Sequence, residues 1–475
     1  MTSNPFSDGL AAIVANQPDR ETIAALRHEV HSDFPQTVSD LIELAKIPGI
    51  AWDAFDAAEL DRSAAAVAAL IRTVGVDEVQ ILREQKADGT PGGPAVVARK
   101  LAKAGKPTVL LYAHHDVQPP GEEALWNSSP FMPVEKDGRL WGRGVADDKA
   151  GVLAHIASLR AVTKVLGEDF GVGVTLFIEG EEEAGSPTFH DFLTAHQDLL
   201  RTDVIVVADS SNWKVGVPAL TTSLRGLVDG SIEVQVLEHA VHSGMFGGPI
   251  LDAPTQLARL IATLHTEEGA VAIEGLHTAN EPSLEYPEAD FRADASVLEG
   301  LALAGSGSIS SRLWSQPALS IIGFDAPPVA TSSNTIQPRA TAKFSLRLAP
   351  GQDPAEAMEA VRRHLERHTP STAKVTLIPG EQGSAFAADT SAPVAQAMLW
   401  ALGTSWGVAP VESGMGGSIP FIADLTELFP AAQILITGVE DPDSRAHSAN
   451  ESLHLGDFEK AVLAEALLLS RLNLS

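Results

Sequence analysis

Short apolar runs alternate with helical patterns along the first half of the chain. Three runs rich in β-branched residues, Thr108–Ala113, Val174–Ile178 and Val204–Ala208, are bounded by polar turns and are too short to be helices. They predict buried strands. Between the first two, Lys149–Leu166 has apolar residues at helical spacing. Strand, helix and strand at this scale predict a doubly wound α/β domain, which binds ligands at the carboxyl ends of its strands.

The middle of the chain has a different pattern. Ser231–Leu237 and Lys343–Leu348 alternate apolar and polar residues, as do strands with one face in solvent. Each is followed by a helical pattern, Ala253–His265 in one case and Pro354–His368 in the other. We therefore predict an inserted α+β domain with an antiparallel sheet and helices on one face. The Gly- and Ser-rich segment Gly305–Ser311 predicts a loop.

The α/β pattern resumes near residue 385, with Gln433–Thr437 predicted as a strand and Phe458–Leu472 as a terminal amphipathic helix. The expected architecture is an α/β domain with a mixed, mostly parallel sheet, built from residues 1–219 and 384–475. The α+β domain is expected at residues 220–383.

Composition narrows the possible functions. The chain has 475 residues with 33 Lys and Arg against 62 Asp and Glu, a formal net charge of −29, which disfavours binding to nucleic acid or to an anionic membrane. The absence of cysteine excludes disulfides, thiolate metal sites and Cys nucleophiles. The N-terminal sequence lacks the basic and apolar regions of a secretory signal. No apolar run approaches the roughly 20 residues of a membrane span, so a cytoplasmic protein is expected.

Polar clusters follow the predicted strands. Taken singly, each has a plain structural explanation: His114 in a turn, Asp147 as a helix cap, Glu181–Glu183 as a solvated acidic run, and His447 in a surface loop. Taken together, histidines and carboxylates without cysteine are the ligands that two neighbouring divalent cations need, with one carboxylate bridging the pair.

The motifs occur in a recognisable order: His-x-Asp-Val-Gln-Pro, Gly-Arg-Gly-x-x-Asp-Asp-Lys, Glu-Glu-x-Gly-Ser, an Asp after a strand, and Ala-His-Ser-x-Asn-Glu. This set resembles the dinuclear zinc peptidases that include carnosinase, cytosolic non-specific dipeptidase, aminoacylase and glutamate carboxypeptidase. The match covers nearly the whole chain. The Gly-Gly-Ser-Ile-Pro segment and the segment that begins at His242 are most similar to the carnosinase-like dipeptidase branch.

The resemblance implies two divalent metal ions per subunit, most simply Zn, with Mn or Co also suited to nitrogen and oxygen ligands. The implied ligands are His114 and Asp209 on one ion, Glu183 and His447 on the other, and Asp147 as the bridge.

Neighbouring residues acquire supporting roles from the same resemblance. Asp116 is expected to orient His114, and Glu182 is expected to act as the general base for a metal-activated water. We expect His115 and Glu181 not to be ligands, and Asp148 to cap the helix that begins at Lys149.

The inserted domain resembles the family's lid and dimerisation domain. His242 is implied to stabilise the oxyanion in the neighbouring subunit's site, which predicts a homodimer with His242 acting in trans. Arg347 is implied to bind the substrate's C-terminal carboxylate. The remaining expected substrate contacts are Asn334, Thr335, Gly417 and Ser418.

The implied activity is metal-dependent hydrolysis of the amide bond of dipeptides or similar short peptides. Gly414 and Met415 stand where this branch commonly has Arg-Glu, whose acid serves recognition of the free α-amine. The alternative of an N-acyl-amino-acid amidohydrolase, similar to aminoacylase, therefore stays open.

Other functional classes fit less well. The chain has no Gly-x-Ser-x-Gly motif, which disfavours a serine hydrolase. The histidines of His28-Glu29-Val30-His31 are three residues apart rather than the four of a zincin. Gly142-x-Gly144 lacks the third glycine of a dinucleotide-binding loop. A metal-free scaffold would have lost ligands, yet every ligand position is filled.

Overall fold

The structure is a computed structural model that describes residues 16–370, 373–417 and 420–474. Its helices are α1 Arg20–Ala45, α2 Ala57–Ile71, α3 Lys149–Leu166, α4 Phe189–Ala195, α5 Gln197–Leu200, α6 Ser243–Phe246, α7 Ala253–Ala262, α8 Glu288–Asp294, α9 Ile309–Trp314, α10 Pro354–His368, α11 Pro393–Trp406, α12 Pro420–Leu428 and α13 Leu455–Leu472. Its strands are β1 Glu78–Leu82, β2 Ala95–Lys100, β3 Thr108–His114, β4 Val134–Lys136, β5 Arg139–Trp141, β6 Gly173–Glu179, β7 Val204–Val207, β8 Ala219–Leu224, β9 Gly226–Gln235, β10 Val241–His242, β11 Ala318–Asp325, β12 Thr335–Ile336, β13 Arg339–Leu348, β14 Lys374–Gly383, β15 Phe386–Ala387, β16 Val411–Met415, β17 Gln433–Ile436 and β18 Ser452–His454.

The chain divides into two compact units. Unit 1 comprises Met1–Thr222, Ala388–Ser413 and Asp424–Ser475, and unit 2 comprises Ser223–Ala387 with Gly414–Ala423. The division points near residues 222 and 387 lie close to the expected boundaries at 219 and 383. The segment Gly414–Ala423 was expected in the α/β domain, but it belongs to unit 2.

Unit 1 is built on a mixed sheet with the strand order β1-β2-β6-β3-β7-β17-β8. The four central strands β6, β3, β7 and β17 are parallel, whereas β1, β2 and β8 pair antiparallel at the two sides. The expected mixed sheet of an α/β domain is therefore confirmed, and its parallel strands form the middle of the sheet. The carboxyl ends of these central strands lie at one edge of the sheet.

Helix α3 is the central helix of unit 1 and has the predicted bounds. It packs against β3, α1 and α13, and it ends where Gly167 adopts a φ of +55°, which glycine tolerates best. Lys149–Asp169 is long and apolar enough to cross a membrane by length and composition alone, but 67% of it is buried inside the protein. Burial of this kind is typical of the core helix of a globular domain.

Unit 2 contains a four-stranded antiparallel sheet in the order β11-β13-β9-β14. Helices α7 and α10 pack on it, and they bury a separate apolar core with residues such as Leu257, Phe344 and Val361. The expected α+β architecture is confirmed. The loop predicted at Gly305–Ser311 is wrong in its second half, because Ser308 accepts a hydrogen bond from the Ser311 N–H and starts helix α9.

Candidate metal centre

The candidate centre lies at the carboxyl edge of the parallel strands of unit 1. Strand β3 ends at His114, β6 leads into a short 3-10 turn at Glu182–Ala184, and β7 ends two residues before Asp209. Because β6, β3 and β7 are parallel neighbours, their following residues meet at one edge. The sheet topology thus gathers side chains that are up to 95 residues apart in sequence.

Asp147 stands between two histidines. Its Oδ1 lies 3.2 Å from Nε2 of His114, and its Oδ2 lies 3.0 Å from Nε2 of His447. Glu183 completes the second side, with Oε2 3.3 Å from the same Nε2 of His447. The two oxygens of one carboxylate are therefore directed to two different sets of candidate ligands.

Two groups of possible metal ligands share Asp147. His114, Asp147 and Asp209 form one group, and Asp147, Glu183 and His447 form the other, with ligand atoms within 4.8 Å of one another in each. All five residues expected as ligands are in these groups. Neutral imidazole and carboxylate are ligands that suit Zn²⁺ and similar divalent ions.

The charges of these carboxyl groups are poorly compensated by protein alone. Burial, reinforced by the charge of Asp147, raises the pKa of Glu183 to about 9. Burial also raises the pKa of Asp209 to about 6 and that of Glu182 well above its ordinary value. Burial would raise the pKa of Asp147 too, but hydrogen bonds from His114 and His447 outweigh it and hold that pKa below its ordinary value. Such crowding of acids is the environment that bound cations stabilise, so the residues fit a metal centre.

Asp116 connects the His114 strand with the Glu182 turn. Nδ1 of His114 lies 3.1 Å from the Asp116 carbonyl oxygen and 3.4 Å from its carboxylate. With Nδ1 donating there, Nε2 is the ring nitrogen that can give up its proton and bind a metal. The Asp116 carboxylate also accepts hydrogen bonds from the backbone N–H groups of Glu182 and Glu183.

Glu451 and Arg143 are structural partners of the centre that were not predicted from the sequence. The Glu451 carboxylate accepts hydrogen bonds from the backbone N–H groups of Gly144, Ala146 and Asp147, and it pairs with Arg143 at 2.7 Å. Both side chains are almost fully buried, at 0% and 1% exposure. The Asp147 loop is thereby fixed to the loop that carries His447. Arg143 and Glu451 have opposite charges and lie in two of the sequence motifs, which is the feature from which this ion pair could have been predicted.

Two neighbouring residues, Gln118 and Asp148, make hydrogen bonds to the residues of the candidate centre. Gln118 donates its backbone and side-chain N–H groups to the Glu183 carboxylate, at 3.1 and 2.6 Å. Asp148 occupies the N-cap position of α3 as expected, but its side chain makes no capping hydrogen bond to the helix. Its carboxylate accepts instead from the His114 backbone N–H at 3.1 Å, so this side chain holds the metal-site strand rather than the helix end.

His115 and Glu181 lie outside both ligand groups. Nε2 of His115 is 2.8 Å from the Pro94 carbonyl oxygen, and burial lowers its pKa to about 4. The Glu181 carboxylate accepts hydrogen bonds from the N–H groups of Gly93 and Thr188. Both residues support the strand ends that carry the candidate ligands.

Unit 2 holds the expected substrate-contact residues that lie within the described chain. His242 pairs directly opposite Thr335 in the ribbon of β10 and β12, and the Asn334 carbonyl accepts from the Ser243 N–H. These three expected residues therefore lie together. Arg347 is half-buried on β13, and Gly417 lies in the loop after β16. Ser418 lies outside the described residues.

The glycine at position 414 has a packing reason. A Cβ added to Gly414 would lie 2.5 Å from Cγ of Trp314, a distance that real side chains do not tolerate. Trp314 is buried, so its indole fills the space that a larger residue at 414 would require. The departure from the Arg-Glu pattern is thus accommodated by neighbouring packing in unit 2.

Comparisons with known proteins agree with this site. Residues 110–471 match the family model for peptidase family M20/M25/M40. The cysteinylglycine-S-conjugate dipeptidase of Corynebacterium striatum is 36% identical over 376 residues, which are 78% of this chain and 82% of the relative. The β-Ala-His dipeptidase of Rattus norvegicus is 30% identical over 439 residues, covering 87% and 88% of the two chains.

A solved structure extends the comparison to the fold. The crystal structure of human carnosine dipeptidase 1 is similar with a TM-score of 0.76 at 25% identity, covering 96% of this chain and all of the other. The resemblance inferred from the motifs is therefore confirmed, together with the α/β fold. The chain belongs to peptidase family M20/M25/M40 and is a metallopeptidase.

Proposed function

We propose that the protein is a metal-dependent dipeptidase whose reaction centre is the cluster around Asp147. The main observation in support is that the two oxygens of the Asp147 carboxylate contact different histidines, one oxygen His114 and the other His447. Such a carboxylate is suited to bridge two cations. Both curated relatives named above are dipeptidases, which favours the amide bond between two amino acids as the substrate.

The proposed ligands form two sets. His114, Asp147 and Asp209 would hold one divalent ion, and Asp147, Glu183 and His447 would hold the other. Zn²⁺ is the expected metal, and Mn²⁺ or Co²⁺ would also accept these ligands. When bound, such ions supply Lewis-acid chemistry that polarises a carbonyl and makes water nucleophilic near neutral pH.

Glu182 is the proposed general base. Its side chain is 20% exposed, and its Oε2 lies 3.9 Å from Nε2 of His114. Because burial raises the pKa of Glu182, its carboxylate is a stronger base toward a water proton. The same group would then donate that proton to the nitrogen of the leaving amine, so its protonation state is restored at the end of each cycle.

His242 is the proposed donor to the oxyanion. Its Nδ1 accepts a hydrogen bond from the Gly244 N–H at 3.0 Å, so the neutral imidazole carries its proton on Nε2. An exposed Nε2–H is suited to donate to a carbonyl oxygen that becomes negative in the transition state. Asn334 and Thr335, which lie beside His242, are proposed as further contacts.

Recognition of the substrate ends is assigned to other parts of unit 2. Arg347 would bind the C-terminal carboxylate through its planar guanidinium, and the loop with Gly417 and Ser418 would lie along the substrate backbone. The missing acid at Met415 is the one observation that favours the N-acyl-amino-acid alternative. The dipeptidase relatives do not favour it.

The proposed assembly is a cytoplasmic homodimer in which unit 2 is the lid and dimerisation domain. His242 would act in the partner's reaction centre. Two exposed apolar side chains next to it, Met245 at 75% and Phe246 at 48% exposure, support an interface here. Two-fold symmetry would give each centre the same histidine.

A paired assay tests the proposal. Protein treated with chelator and reloaded with Zn²⁺ or Mn²⁺ is given a dipeptide and the N-acetylated amino acid with the same C-terminal residue. We expect the dipeptide to be preferred by at least about 10²-fold in kcat/KM, because binding interactions discriminate by a few kcal/mol. Preference for the acetylated compound would support the amidohydrolase instead.

A further inference from the structure

Arg225 is a buried arginine of unit 2 with an unused hydrogen-bond donor. It lies between β8 and β9 and is only 8% exposed. Its Nε donates to the Gly416 carbonyl at 2.9 Å, its Nη1 reaches the Arg312 carbonyl at 3.5 Å, and its backbone N–H donates to the Met415 carbonyl. Among the described residues, Nη2 has no acceptor and no carboxylate lies within ion-pair distance of the guanidinium.

A second guanidinium lies near the first. Strand β9 begins directly after Arg225, and its second residue, Leu227, pairs opposite Arg347 on β13. Burial and the positive charge of Arg347 together lower the pKa of Arg225 to about 10. A buried guanidinium whose side-chain hydrogen bonds go to carbonyl oxygens, as those of Arg225 do, is costly to keep beside a second cation. An anion next to it would offset that cost.

Arg225 is also tied to the glycine loop. A Cβ added to Gly416 would lie 3.0 Å from Nη2 of Arg225, so this nitrogen lies against the chain segment that leads into Gly417. In the proposed function, that loop lies along the substrate backbone and Arg347 binds the C-terminal carboxylate. The free donor of Arg225 is therefore close to the loop assigned to the substrate backbone and to the arginine assigned to the C-terminal carboxylate.

We propose that Arg225 and Arg347 form a paired guanidinium site for the C-terminal carboxylate of the substrate, with Arg225 donating through Nη2. This inference rests on the proposed function for the role of Arg347. It makes Arg225 a specificity-determining residue that favours dipeptides with a free carboxylate over dipeptides with a neutral C-terminus.

The test compares one dipeptide with its C-terminal amide in the metal-loaded wild-type enzyme and in Arg225→Gln. Each compound is measured as a competitor of a third, reporter dipeptide, so that its inhibition constant is obtained even if it is not cleaved. Charge-assisted hydrogen bonds contribute enough for a change of about 10- to 100-fold. We expect the inhibition constant of the free dipeptide to rise by that factor in the variant and that of the amide to change by less than about threefold.

Controls separate a binding role from a structural one. Arg339→Gln, on the same strand as Arg347 and paired with Glu233 at 3.6 Å, should leave both constants unchanged. Arg225→Lys, which keeps the charge, should recover part of the preference for the carboxylate.

Each other outcome has a distinct meaning. Equal rises for acid and amide in Arg225→Gln would show that Arg225 only supports the loop and would overturn the inference, as would no change at all. Failure of the wild-type enzyme to cleave any dipeptide would refute the proposed function itself.

Discussion

The two units satisfy their polar groups in different ways. In unit 1, His114, Asp147 and Glu183 are nearly enclosed and have hydrogen-bond partners within the same unit. In unit 2, His242 is exposed with no partner for Nε2 among the described residues, and Arg225 keeps a free donor. The difference indicates a preorganised metal centre in one unit and groups that acquire partners from the substrate in the other.

The largest expected effect comes from the shared carboxylate of unit 1. Asp147→Asn removes the charge that both ligand groups use, so we expect loss of both ions and a fall in kcat/KM of at least about 10³-fold. Metal analysis and dipeptide assays measure the two effects. The exposed Asp191→Asn is the control, and an Asp147 variant with normal metal content would contradict the bridging role.

Substitution of the adjacent residues Glu182 and Glu183 separates the catalytic role from metal binding within unit 1. Glu182→Gln should keep the metal content and lower kcat by about 10²–10⁴-fold, because the general base is lost. Glu183→Gln, one residue further on, should lose metal because its carboxylate belongs to a ligand group. If the metal loss occurred in the Glu182 variant instead, the two roles would be exchanged.

A complementation experiment tests whether unit 2 serves a partner. His242→Ala should lower kcat by about 10²–10³-fold through loss of an oxyanion donor. In a mixture of His242→Ala and Glu182→Gln chains, a heterodimer would have one centre lacking both groups and one lacking neither. Random exchange should then restore about a quarter of the wild-type activity.

If His242 acted in its own chain, every centre of the heterodimer would lack one group. Subunit exchange verified by mass, with no return of activity, would therefore exclude action in trans.

We expect a smaller effect when the buried ion pair of Arg143 and Glu451, which holds the Asp147 loop, is broken. Glu451→Gln leaves Arg143 buried without its countercharge, which should reduce the free energy of unfolding by about 3 kcal/mol and weaken metal binding by about 10- to 100-fold. Denaturant unfolding and metal titration measure these changes. The partly exposed Glu459→Gln serves as control, and an equal effect in that variant would contradict a special role for the pair.

The sequence could predict the ligands because each belongs to a short motif, and all of them except His447 lie close to a strand end or a helix start. It could not predict the partners that hold them. Glu451 meets Arg143 across 308 residues, and Asp148 bonds His114 rather than its own helix. These contacts depend on tertiary packing, as does the enclosure of Gly414 by Trp314. The secondary structure of strongly periodic segments, such as α3, was predictable to the residue.

The smallest expected effect is a pH dependence of opposite sign in the two units. In unit 1, burial opposes protonation of His155, but Glu465 at 2.8 Å outweighs it and raises the pKa of His155. A raised pKa stabilises the folded state fully below pH 6.5, and this stabilisation is lost as pH rises through the folded value. In unit 2, burial and His368 lower the pKa of His364, so its contribution is present above pH 6.5 and is lost as pH falls.

Unfolding of chelator-treated protein at pH 6 and pH 9 measures this difference. The destabilisation by His155→Gln should be larger at pH 6, whereas that by His364→Gln should be larger at pH 9. The same sign for both variants would contradict the assigned environments.

We propose that the Asp147 cluster binds two divalent ions and that both are required for dipeptide hydrolysis. Stepwise addition of Zn²⁺ or Mn²⁺ to chelator-treated protein, with bound metal and dipeptidase activity measured at each step, tests it most directly. We expect saturation at two ions per chain, with full activity reached only as the second ion binds. Saturation and full activity at one ion per chain would contradict it.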